Sequence, residues 1–415
     1  MALQSIRQRR ERPRGGSVVA TLVGRRGPRE RRCLGALTVG IVLLGVGGCT
    51  RQEQVGSALL ERELPITSLA DSTFARIISE FSEPDRFFDT DNLISNEGSY
   101  LDVASTLDSL SIRGGAYLGV GPDQNFSYMA RIRPRIAFLI DIRRDNLLEV
   151  LWYKALFHGA KSRVEFLATL FGRPPPDDLG AWSHRPLDDL LSYIDGTQAD
   201  SGYLRATRAR IENYLLALDG AIDSADLETI ARMHLSFAEH GLGLRFTTFG
   251  RPPRGCYPTY GELLSARDLA GRQASYLATE GDFRFVKALH DQNLVIPIVG
   301  DLAGPHALKR IGSYLEARGT RVSVFYTSNV EFYLAQDGIF GPFVENLASL
   351  PHDTASVIIR SVFSSRFGSL PPPRSQERSC SVQSLHPIAT LLNHERSTGY
   401  TGYGDLVTRH SLELR

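Results

Sequence analysis

The 415-residue chain carries 47 basic and 46 acidic residues, a formal charge of +1, and has four cysteines. The basic side is concentrated at the start: the first 32 residues hold ten arginines against Glu11 and Glu30, and without residues 1–48 the balance is 37 basic to 44 acidic residues, a net charge of −7. That excludes the basic footprint of a nucleic-acid-binding protein, and the 367 residues that follow suffice for one large or two modest domains with a substantial core.

Residues 1–48 read as an export signal. An arginine-rich segment precedes Cys33–Gly48, which has no charged residue and is too short to span a bilayer comfortably, and Val46–Cys49 reads V-G-G-C. Small residues ahead of a cysteine fit a lipoprotein signal peptidase. Cys49 is therefore the expected lipidation site and the first residue of the mature chain. This predicts a protein held at the membrane through that lipid, in a bacterial cell envelope. Arg31 and Arg32 partly match a twin-arginine signal, with Gly35 where an apolar residue is usual. The long basic segment also allows a start at Val18, Val19 or Leu22. Cys256 and Cys380 remain after processing; in an oxidising compartment they either pair or stay free. No C-x-x-C or H-E-x-x-H spacing occurs, so no metal site is expected.

The polar residues 49–64 suit a tether. Leu69, Phe74, Ile77, Ile78 and Phe81 have helical spacing and predict an amphipathic helix over 68–83, capped near Asp71. A polar loop, Phe87–Tyr100, leads to a helix over Leu101–Leu110.

The most informative stretch is Ala116–Asn146. An apolar run, Ala116–Val120, meets a turn in which Gly119 and Gly121 relieve backbone crowding. A helix over Gln124–Ile132 follows, with Asp123 as expected N-cap and Pro134 as stop. The second apolar run, Ile136–Ile140, has no polar interruption, as in a strand covered on both faces, and ends at Asp141. An acid about twenty residues beyond a glycine turn is where a doubly wound nucleotide-binding unit places its ribose-binding carboxylate.

Gly119, Gly121 and Asp141 in this order resemble the first motif and ribose acid of class I methyltransferase-like Rossmann folds. More narrowly, Y-L-G-V-G-P-D-Q-N, D-I-R-R-D-N, V-G-D-L-A-G and Y-T-S-N-V-E-F-Y-L are similar to motifs of an uncharacterised bacterial family over about Phe87–Arg360. The broader resemblance implies S-adenosylmethionine as cofactor. Gly119, Gly121, Gln124 and Asn125 would lie at its amino-acid part, and Asp141 at the ribose. It also implies that the segment before the first strand folds over the ligand, which makes Asn96 and Glu97 possible contacts; composition alone reads them as a solvated loop. Arg143 and Arg144 stand beside Asp141. Either one holds an anionic group or forms an ion pair, and a tight pair with Asp141 would occupy the oxygens a ribose needs.

Beyond Asp141, one long helix is predicted over Asn146–Phe171, ended by Pro174–Pro176. Residues 174–240 read as a helical insertion, whose His234 and His240 are ascribed to packing or surface. Leu242–Phe249 has strand character. Helices are predicted over Tyr260–Leu269 and Phe283–His290, a strand over Asn293–Val299, a helix over Pro305–Arg318, and strands over Arg321–Tyr326 and Ser356–Phe363. The expected architecture is a Rossmann-like α/β domain over 65–365, with a mostly parallel sheet and helices on both faces. A Ser/Pro/Arg-rich linker and a peripheral, partly mobile tail occupy 366–415.

Strand ends of such a sheet converge on one crevice. Asp301 is therefore the leading catalytic candidate, with Asn329 and Glu331 beside it, although each also suits a helix cap or a first-turn acid. Two functions fit. One is a methyltransferase-like enzyme in which Asp301 positions the acceptor. The other is an envelope protein that uses the scaffold to bind another small molecule or a protein, favoured because the methyl donor is made in the cytoplasm. A hydrolase lacks a G-x-S-x-G turn.

Overall fold

A computed structural model of the chain describes residues 67–218, 222–250, 252, 254–363 and 380–415. The expected signal, Cys49, the tether and most of the linker lie outside these residues. Among the described residues no helix is long and apolar enough to cross a membrane.

The helices are α1 Asp71–Phe81, α2 Ala104–Ser109, α3 Gln124–Ile132, α4 Arg144–Gly159, α5 Arg163–Leu170, α6 Leu179–Trp182, α7 Leu187–Gly196, α8 Ser201–Leu216, α9 Ser224–His240, α10 Tyr260–Ser265, α11 Glu280–Asp291, α12 Ala307–Ala317, α13 Val330–Gln336, α14 Phe340–Ala348, α15 Ile388–Ser397 and α16 Tyr403–Thr408. The strands are β1 Ala116–Val120, β2 Ile136–Asp141, β3 Val295–Val299, β4 Val322–Ser328, β5 Val357–Phe363 and β6 Ser381–Pro387. They form one sheet in the order β3-β2-β1-β4-β5-β6. Strands β1 to β5 are parallel and β6 is antiparallel to β5. The fold is α/β, with helices packed around a mostly parallel sheet.

Every residue of β1, β2 and β3 is buried, which explains their unbroken apolar runs. Pro297 is tolerated because β3 is the edge strand. Arg133 ends α3 in the left-handed region at φ +51°, its N–H donating to the Met129 carbonyl just before Pro134.

Several expectations need correction. The helix over 146–171 is two helices: the chain extends at Ala160, and the Ser162 hydroxyl caps α5 by accepting the Glu165 N–H. Leu242–Phe249 is not a strand. It holds a short 3-10 turn and isolated bridges, Arg245 with Thr259 and Thr248 with Thr90, so its alternation has no ladder to join. The tail is not peripheral: β6 pairs with β5 over seven residues, burying Gln383 and His386, and α15 and α16 pack Leu391, Leu392 and Leu406 into the core. Cys256 and Cys380 are joined by a disulfide, with Cα atoms 5.7 Å apart.

Within 174–240, α8 and α9 pack on α4. Asp223 and Asp226 form a capping box at the start of α9. His234 is buried with Nε2 against the Thr169 carbonyl, and burial pulls its pKa down to about 4; His240 is exposed.

Candidate functional site

Strand order reverses between β1 and β4, the position where an open α/β sheet forms its crevice. A cavity of about 360 Å³ lies there. Gly121, Gln124, Asp141, Arg143, Asp301 and Asn329 line it, as do Asn96, Glu97 and Ser328. Phe88, Phe246, Tyr257 and Tyr333 supply aromatic wall.

The turn after β1 is held from below. Gly121 adopts φ +85°, which glycine allows at no steric cost. Asn125 is fully buried: its amide donates to the carbonyls of Val120 (3.0 Å), Gly121 (3.1 Å) and Pro122 (2.7 Å) and accepts the Tyr117 hydroxyl (2.6 Å). Asn125 therefore shapes the turn from behind rather than lining the cavity. Gly119 also lies outside the lining. A Cβ there would meet Asn125 Oδ1 at 1.9 Å and the Tyr117 ring at 2.8 Å, so this glycine makes room for the Tyr117–Asn125 bond.

Asp123 does not cap α3. It is buried, and its Oδ2 accepts the hydroxyls of Tyr260 (2.5 Å) and Tyr276 (3.2 Å). Burial, partly opposed by those bonds, raises its pKa to about 6.

Asp141 is clasped by Arg143. Oδ1 accepts the Arg143 backbone N–H (2.9 Å) and Nε (3.1 Å), and Oδ2 accepts Nη2 (3.0 Å). Arg143 Nη1 continues to the carbonyls of Thr90 (3.2 Å) and Asp91 (3.0 Å), stapling the segment before β1 onto the end of β2. The acid is therefore not free: one lone pair on Oδ2 remains for a ligand. Arg144 turns away and pairs with Asp226.

The three catalytic candidates have separate fates. Asp301 Oδ2 accepts Arg86 Nη1 at 2.7 Å, and its Oδ1 accepts the Ala303 N–H at 2.9 Å. The start of α12 is capped instead by Glu83, whose Oε1 accepts the N–H groups of His306 and Ala307. Asn329 lines the cavity and makes no side-chain cap to α13. Glu331 does not line it. It is buried in an ion pair with Arg360, supported by the Thr327 hydroxyl at 3.2 Å, which holds its carboxylate away from the cavity.

The cavity acid that composition under-rated is Glu97. It is 1% exposed, and its carboxyl accepts the hydroxyls of Tyr326, Ser328 (2.5 Å) and Ser361, with Gln383 Nε2 at 3.4 Å. Burial pushes its pKa above the ordinary carboxylate range against the pull of those four donors. Its partners come from β4, β5 and β6. The local signal is Ser361, beside Arg360 in the otherwise apolar run of β5; Gln383 lies in the largely polar β6 and gives none.

A family model described as "Domain of unknown function (DUF7790)" matches residues 93–173 and 250–409, more than half of the chain. The chain belongs to this family. The DUF7790 match includes all six strands and the cavity segments Gly121–Arg143 and Asp301–Asn329, together with Glu97. Helices α6 to α9 lie between its two matched stretches. No curated protein matches the chain.

Proposed function

We propose that the chain is a lipid-anchored envelope protein whose Rossmann-like domain binds a small nucleoside-type ligand in the cavity beside Gly121 and Asp141. The observation that carries this reading is the position of the cavity, at the strand-order reversal and bordered by the glycine turn and the acid after β2. Its volume of about 360 Å³ falls in the range of small-molecule sites. S-adenosylmethionine is the cofactor suggested by the resemblance of Gly119, Gly121 and Asp141 to methyltransferase-like proteins. In this reading the Gly121 turn approaches the ligand backbone to backbone, and the open lone pair of Asp141 Oδ2 accepts one ribose hydroxyl. Methyl transfer asks the protein chiefly to hold donor and acceptor in line.

The test is calorimetric titration of the full chain with S-adenosylmethionine, S-adenosylhomocysteine and adenosine, beside Asn329→Trp, which fills the cavity from a half-buried wall position. Binding that weakens at least about tenfold in the variant supports the reading. Absence of heat with all three at millimolar concentration overturns it.

The Arg143 clasp favours a second reading, a non-enzymatic envelope protein that uses the same cavity for another ligand. The anchor is tested separately. Labelled palmitate should enter the wild type and not Cys49→Ala, and equal labelling would remove the lipoprotein proposal.

A further inference from the structure

Among the acids of the cavity wall, Asp141 is paired with Arg143 and Asp301 with Arg86, whereas Asp337 is exposed to solvent. Glu97 is buried with four uncharged side-chain partners. Arg360, next to its partner Ser361, is committed to Glu331.

The two oxygens of Glu97 are not equivalent. Tyr326 Oη receives Gln124 Nε2 at 3.2 Å, and Ser361 Oγ receives Gln383 Nε2, so both hydroxyls direct their own protons at Glu97 Oε2. Oε2 is thereby held as an acceptor. A proton on Glu97 belongs on Oε1, whose partner is the Ser328 hydroxyl at 2.5 Å. Ser328 lines the cavity at an irregularity in the β4–β5 pairing and adopts φ +53°, a strained conformation for a serine. The titratable groups that face Glu97 are the phenols of Tyr117 on β1, Tyr128 on α3 and Tyr326 on β4. Burial pushes each of them well above its ordinary range, so they stay neutral.

We propose that Glu97 is the counter-ion for a cationic ligand: the cavity takes a small organic ammonium, its N–H groups directed at Glu97 Oε1 beside Ser328 and its carbon part against Phe88 and Tyr333. Those two rings meet edge to face at 5.4 Å and offer apolar surface to that carbon part. The charge balance agrees. Four carboxylates, Glu97, Asp141, Asp301 and Asp337, line the cavity with three guanidiniums, Arg86, Arg143 and Arg254. The wall is neutral when Glu97 holds a proton, and an ammonium bound to ionised Glu97 keeps it neutral. To the extent that Glu97 is protonated before binding, entry of the cation releases that proton to solvent. The inference deepens the reading of this cavity as a ligand site, and it holds whether or not the ligand is a nucleoside.

Benzylammonium and its uncharged counterpart benzyl alcohol are suitable probes, titrated into the full chain at neutral pH in phosphate and in the zwitterionic buffer HEPES, whose protonation enthalpies differ. Benzylammonium should bind at least about tenfold more tightly, a difference of about 1.4 kcal/mol, and its heat should change between buffers in the direction of proton release. In Glu97→Gln the preference and the buffer dependence should both vanish. Equal affinity for the two probes in the wild type, a preference that survives in Glu97→Gln, or no binding of benzylammonium at millimolar concentration overturns the proposal. If Glu97→Gln does not fold, the preference and the buffer-dependent heat of the wild type decide it. Silence toward adenosine compounds together with an intact ammonium preference counts against the nucleoside reading alone.

Discussion

Replacing Asp141 by alanine should destabilise the domain far more than an acid on a cavity wall ordinarily would. Asp141 and Arg143 are each only 9% exposed at the side chain. In the variant the guanidinium loses the Nε and Nη2 bonds to the carboxylate and keeps the Thr90 and Asp91 carbonyls. Burial pulls the Arg143 pKa down, and Asp141, with smaller help from Glu149 and Asp145, more than offsets this in the wild type, so removal of the acid strands a buried cation. Breaking one side of a buried pair costs about 3 to 5 kcal/mol. Asp301→Ala is the internal control, because its partner Arg86 is 61% exposed and such pairs contribute about 0 to 1 kcal/mol. Urea unfolding followed by the fluorescence of buried Trp152 gives both numbers. The double variant Asp141→Leu/Arg143→Met should recover much of the loss, since the charge and its partner leave together. If Asp141→Ala stays within about 1 kcal/mol of wild type, like the Asp301 control, the clasp contributes no more than a surface pair and the argument fails.

Asp123 has its pKa raised to about 6 from an ordinary 3.8, so the folded state binds the extra proton between those values and stability falls as pH rises through that window. Asp123→Asn should lack this slope and gain about 3 kcal/mol on the wild type between roughly pH 4 and 6, with no further change above; a constant difference in urea midpoints across that window would refute the assignment. Reducing the Cys256–Cys380 disulfide, which spans 124 residues, should cost about 2 to 5 kcal/mol, read as a lower unfolding temperature; the Cys256→Ser/Cys380→Ser variant should match the reduced protein and be insensitive to reductant. Gly119→Ala places a Cβ 1.9 Å from Asn125 Oδ1 and should cost about 1 to 3 kcal/mol by chemical denaturation, whereas wild-type stability would mean that the Tyr117–Asn125 bond is dispensable.

The first βαβ unit was legible because its signals are local. Ala116–Val120 and Ile136–Asp141 are unbroken apolar runs, and between them Gly121 and Pro134 bracket a helix whose length they set. The break at Ala160 was masked by apolar residues that continue on both sides of it, and β6 by its polar residues. Gln383 and His386 look like surface positions until β5 lies beside them. The site divides in the same way. Gly121, Gln124, Asp141 and Arg143 follow from one turn and one strand end, and the structure brings Asp301 and Asn329 to the same cavity. Glu331 is spaced like its neighbours, yet faces Arg360, a partner 29 positions away that no local pattern announces. Glu97 was obscured for the opposite reason: its loop is polar by composition, and the hydroxyls that bury it belong to strands far along the chain.

Those distances bear on the order in which the molecule is built. Glu97 lies 229 residues from Tyr326, 264 from Ser361 and 286 from Gln383. Contacts this remote in sequence are slow to form, because a long loop must close before they contribute. A ribosome delivers residue 97 long before residue 383, so the β1–β2 unit has all of its residues while the three strands that carry the partners of Glu97, β4, β5 and β6, are still missing. The nascent domain therefore carries an acid intended for burial and none of the strands that bury it, and the cavity is complete only when nearly the entire chain has emerged.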